Sequence, residues 1–71
     1  MGQILAAIFQ VVEEQEGLNG RMKLVSATGI SRDKAAHVED EAHIVDFATQ
    51  QANSIVGKDI APLLKKILGP S

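Results

Sequence analysis

Apolar residues in this chain recur three and four positions apart, and glycines close most of the stretches in which they do so. That spacing is the period of an amphipathic α-helix. Glycine is the residue best able to take the left-handed conformation that stops a helix. No stretch shows the strict alternation or β-branched clustering of a strand. The pattern predicts an all-α fold, a compact bundle of about five short helices over approximately residues 3–15, 20–28, 32–39, 41–56 and 60–68. With 71 residues, no repeat and no linker, the chain reads as a single helical domain, residues 1–71.

Each stretch carries its own start and stop. Ile4, Leu5, Ile8, Phe9, Val11 and Val12 give the first a broad apolar face. Glu13, Glu14 and Glu16 crowd its end, where the helix dipole favours cations. Gly17-Leu18-Asn19-Gly20 reads as a tight connection, with Asn19 the cap of a second helix that carries Met22, Leu24 and Val25 and stops at Gly29. Ser31 is placed to cap a third, through Ala35, Ala36 and Val38. The fourth has one stripe of Ile44, Ala48, Ala52, Ile55 and Val56, with Asp40 and Glu41 in its first turn and Gly57 as its stop. In the fifth, Asp59 is the expected cap, Pro62 fits the first turn, and Ile60, Leu63, Leu64, Ile67 and Leu68 form the inner face. Lys65 and Lys66 suit its C-terminal end, and Gly69-Pro70 terminates it.

Composition narrows the function classes. The only aromatic residues are Phe9 and Phe47, so the core must be built from Ile, Leu, Val, Met and Ala. Without cysteine there is no disulfide, no thiolate nucleophile and no Cys-based metal site. A domain this small buries only about 60% of its unfolded surface, and such chains gain burial by associating. A homo-oligomer or a protein partner is therefore expected. The net charge of -2 argues against a general nucleic-acid binder, whose domains carry a positive excess. No stretch approaches the ~20 apolar residues of a membrane span. The apolar opening lacks a basic n-region and is interrupted by Gln3 and Gln10, and Gly2 is followed by Ala6 where a myristoylation signal has Ser or Thr. A cytoplasmic, soluble protein without a membrane partner is the resulting expectation.

Residues 24–38, LVSATGISRDKAAHV, resemble a helix-turn-helix unit. The resemblance lies in Gly29-Ile30-Ser31 at the turn, with Val25 four residues before the glycine and Ala35 and Val38 six and nine after it. It implies a recognition helix over residues 31–38, with Arg32, Lys34 and His37 projecting towards a major groove. The same residues also resemble a helix-hairpin-helix element, which grips phosphates non-specifically, although Ser31 stands at its second expected glycine. Arg21, Lys23, Arg32 and Lys34 against Asp33 make residues 20–38 locally basic, whereas Glu39, Asp40, Glu41 and Asp46 make the following segment acidic. The candidate nucleic-acid residues are thus Arg21, Lys23, Ser31, Arg32, Lys34 and His37. Equally, a compact pair of short helices needs such a turn, cap and inward Ala and Val for packing alone.

Catalytic and metal chemistry find little to work with. On a continuous helix His37 and His43 would point about 120° apart. Each could pair with a carboxylate four residues away, His37 with Glu41 and His43 with Glu39, but two ligands fall short of the usual three or four. None of Ser26, Thr28, Ser31, Thr49, Ser54 or Ser71 has the spacing of a nucleophile beside its base. Gly17 to Gly20 lacks the Lys-Ser/Thr ending of a phosphate loop. The sequence therefore predicts no enzyme, no cofactor, no metal site and no small-molecule substrate. Its favoured reading is a non-catalytic protein-interaction or oligomerisation module whose interface is the first helix, at Ile4, Leu5, Ile8, Phe9 and Val12. The alternatives are a small helix-turn-helix-type DNA-binding regulator and, more distantly, an acidic-histidine metal binder.

Overall fold

The computed structural model describes residues 3–69, all of its regular structure helical; Gly2, Pro70 and Ser71 lie outside the described residues. Four helices follow one another there: α1 (Gln3–Thr28), α2 (Arg32–Ala35), α3 (Ala42–Val56) and α4 (Ala61–Leu68). The all-α expectation holds, and the count of five is corrected to four. The first two expected helices are two arms of α1, separated by one non-helical residue, Gly17, at φ 71° and ψ -159°. A straight helix of 26 residues would be about 39 Å long, more than the molecule's longest extent of 30 Å. Because glycine alone occupies that backbone region readily, a single residue does what a four-residue connection was expected to do. Leu18, Asn19 and Gly20 are helical, so Asn19 is not a cap.

Each of α2, α3 and α4 packs onto α1. The core consists of Leu5, Ile8, Phe9, Val11 and Val12 from the first arm, Leu24 from the second, and Ala35, Ala48, Ala52 and Ile60 from the rest. Ala48 and Ala52 lie one turn apart on α3, and their small side chains let the two helix axes come close. Gly20 plays the same part at the elbow of α1. A Cβ there would collide with Glu16 Cβ and lie 3.2 Å from Val12 Cγ1.

The glycine stops are where the sequence placed them. Gly29 (φ 72°) and Gly57 (φ 84°) are left-handed, and their N–H groups close the last turns on Val25 and Asn53 carbonyls, each at 2.8 Å. Ser31 does cap α2, its Oγ accepting from the Lys34 N–H at 3.2 Å. The third helix is far shorter than the expected 32–39, however. It ends at Ala35, and the N–H groups of His37 and Val38 both turn back to the Lys34 carbonyl.

Asp40 explains that early end. Its carboxylate lies at the N-terminus of α1, accepting from the Ile4 N–H at 3.1 Å and the Leu5 N–H at 3.3 Å. The segment after α2 must reach that point and so cannot continue as helix. Asp40 was expected in the first turn of the following helix; instead α3 begins two residues later, with no side-chain cap on its N-cap residue Glu41. At α4 the N-cap residue is the buried Ile60 rather than Asp59, although Asp59 Oδ1 still accepts from the Ala61 N–H at 3.0 Å. The Ile60 N–H is satisfied by Asn53 Oδ1 at 2.9 Å, which ties α4 to α3. Among the described residues no helix is long and apolar enough to cross a membrane.

Candidate interaction surface

The elbow of α1 gathers the charged candidates. With its arms folded back at Gly17, Arg21 Nη1 lies 3.2 Å from Glu13 Oε2, and Arg32 Nη1 at the start of α2 lies 3.8 Å from Glu13 Oε1. One carboxylate thus faces two of the four cations that made residues 20–38 basic. Lys23 and Lys34 are exposed, and the Ser31 hydroxyl is engaged as the α2 cap. His37 lines a shallow hollow with Ala6, Gln10, Arg32, Asp33 and Ala36.

The turn at residues 29–31 has the predicted architecture, with Ala35 buried and Val25, Ile30 and Val38 packed against the core. Its second helix does not. The four residues of α2 amount to about 6 Å of helix. The helix-turn-helix resemblance implied an eight-residue recognition helix reading a groove. A single turn cannot lay Arg32, Lys34 and His37 along one.

The proposed metal-ligand spacing also assumed a continuous helix, and residues 36–41 are not helical. His43 Nε2 lies 3.5 Å from Glu41 Oε2, both side chains well exposed. Among the described residues no group of three or more His, Asp or Glu is placed to hold a metal ion. Beside the Ser31 cap, two more of the hydroxyls considered as nucleophiles bond to the backbone. Thr28 Oγ1 donates to the Leu24 carbonyl and accepts from the Ile30 N–H, and Thr49 Oγ1 donates to the Val45 carbonyl.

The largest correction concerns the apolar face of the first helix. Leu5, Ile8, Phe9 and Val12 are at most 1% exposed, and Ile4 is half-buried against them. That face is the core of the molecule, closed by the chain's own helices, and is not exposed as a surface of the folded chain. Among the described residues, the large apolar side chains that do face solvent are Leu18 at 57%, Met22 at 59%, Phe47 at 47% and Leu68 at 46%. Leu18 and Met22 stand one helical turn apart on the second arm of α1. Met22 and Val25 form the apolar wall of a shallow hollow whose other side is Arg21, Ser31, Arg32 and Asp33. The sequence reading placed Leu18 in a connection and Met22 among the residues of a second helix, without naming either as a contact surface, so both were missed. Their four-residue spacing was the available signal.

Comparison with protein-family models, with curated proteins and with solved structures finds no match to this chain.

Proposed function

We propose that this protein is a non-catalytic self-association module whose contact surface is the second arm of α1, centred on Leu18 and Met22. The observation that carries this reading is the pair itself. Two large apolar side chains, each more than half exposed, sit one turn apart on a helix whose other large apolar residues are buried or half-buried against the core. Adjacent exposed apolar groups of this kind mark contact sites more often than scattered ones do. Charge supports a second copy as the occupant. Glu14 and Glu16 precede the pair and Lys23 follows it, all exposed. Two copies of the arm running antiparallel bring Lys23 of each towards the acidic turn of the other, a self-complementary arrangement suited to a two-fold interface.

Sedimentation equilibrium tests it. The unaltered chain self-associates, and Met22→Glu, alone or with Leu18→Glu, returns it to a monomer. Because both side chains face solvent, the melting transition of the variants stays within about 0.5 kcal/mol of the parent. A parent that stays monomeric up to about 1 mM, where association is worth only about 4 kcal/mol, overturns the reading. So does association that survives both substitutions.

A further inference from the structure

We propose that self-association proceeds by arm exchange: α1 straightens at Gly17, and residues 3–16 dock into the core of a second copy of this chain. This rests on the self-association reading above and adds its mechanism.

The apolar pattern of α1 does not reset at the elbow. Ile4, Ile8, Val11, Leu18, Met22 and Val25 keep one register of alternating four- and three-residue steps straight through Gly17, with the exposed Gln15 as its single polar position. In a continuous helix such positions form a single stripe. In the bent chain the stripe is divided. Ile8 and Val11 are buried, whereas Leu18 and Met22 are left in solvent. Straightening puts Leu18 and Met22 back in line with the face that enters the core.

The hinge is one residue long and unobstructed. Gly17 is the only non-helical residue within α1, and nothing lies within 4 Å of where its Cβ would be. The contacts that hold the arms together are arranged almost symmetrically about it. Val12 meets Gly20 across the elbow, and Glu13 pairs with Arg21. The midpoints of these pairs fall at residues 16 and 17. Two straight copies of α1 crossing antiparallel at Gly17 therefore remake both contacts, each between chains rather than within one. The same holds for the Asp40 cap on Ile4 and Leu5 and for the packing of the first arm on α3. Exchange of an identical element in this way is a low-cost route to a dimer, because only the hinge changes conformation.

Gly17 also supplies the lever for the test. Its φ of 71° and ψ of -159° lie in a region nearly closed to L-residues. An L-alanine there is strained in the bent chain and favoured in the straight one. A D-alanine has the opposite preference. The mirror image of that conformation is ordinary extended backbone, while a D-residue disfavours a right-handed helix. The chain is short enough for chemical synthesis, so both substitutions are accessible.

The experiment compares the parent, Gly17→Ala and its D-alanine counterpart by light scattering after size exclusion. Mixed labelled and unlabelled chains are then examined for NOEs between chains. Gly17→Ala is expected to lower the dimer dissociation constant at least tenfold, and the D-alanine chain to be a folded monomer at the same concentration. In the Gly17→Ala dimer, NOEs from the Phe9 ring and Ile8 methyls to Ala48 and Ala52 run between chains. A dimer in which these NOEs remain within one chain overturns arm exchange and leaves the Leu18–Met22 surface standing. A parent that is monomeric throughout overturns the underlying reading. Gly17→Ala as a monomer, folded or unfolded, overturns the exchange, since the straight dimer gives the variant a folded outlet. Equal dimerisation of the two alanine epimers overturns it too.

Discussion

The Asp40 carboxylate satisfies two N–H groups at the start of a helix that begins more than thirty residues earlier in the chain. The first N–H groups of any helix lack intrahelical partners, and a negative charge there is also favoured by the helix dipole. Most caps are local; this one joins the α2–α3 connection to the arm that carries half of the buried core. Asp40→Ala is therefore expected to destabilise the fold by about 1 kcal/mol, the usual value of a lost cap. Asp40→Asn keeps an accepting oxygen in place and should recover most of that loss. Urea midpoints of the two variants check the ordering, and equal losses would assign the effect to the charge alone. Asn53 works in the same manner at the other end of the molecule, holding the Ile60 N–H.

Among the elements, α1 is the hub and α4 the periphery. The first arm of α1 supplies half of the buried cluster, whereas α4 itself contributes no fully buried residue and is held by half-buried Leu63, Leu64 and Ile67 with Ile60 just before it. An element with little buried surface opens at a low free energy. Native-state hydrogen exchange should show the amides of α4 losing protection before those of the first arm of α1 and of α3. Equal protection along the whole chain would mean that α4 opens only with global unfolding. The brevity of α2 belongs to this scale as well. One turn with a serine cap directs the chain from Gly29 towards Asp40's position and presents Ala35 to the core.

At the scale of the whole molecule, the exposed surface of 4486 Å² for 7.6 kDa is close to the roughly 4,300 Å² typical of a folded monomer of that mass. The small core that made association a plausible source of extra burial is in fact closed by the chain alone. Its stability margin is still narrow. A domain of this length has about 4–11 kcal/mol to lose, and removing a buried phenylalanine takes about 3–5 kcal/mol. Phe9→Ala should remove a large part of that margin and lower the thermal midpoint sharply, while Phe47→Ala, at a half-exposed position, should shift it little. Circular dichroism melts of the two aromatic variants make the comparison, and similar midpoints would contradict the burial assigned to Phe9.

Local signals account for what could be read before the fold was known. The helical period of the apolar residues, the stops at Gly29 and Gly57, the Ser31 cap and the inward Ala35, Ala48 and Ala52 all act through the backbone and side chains within a few positions. They are the same whatever the rest of the chain does. The bend at Gly17, the reach of Asp40 to Ile4 and Leu5, the single turn of α2 and the burial of the first arm's broad face depend on partners far away in sequence. The apolar stripe from Ile4 to Val25 shows the difference most directly. Its continuity was determined by the sequence, but only the tertiary structure decided that Ile8 and Val11 lie inside while Leu18 and Met22 lie outside, because burial is set by which helices pack on which face.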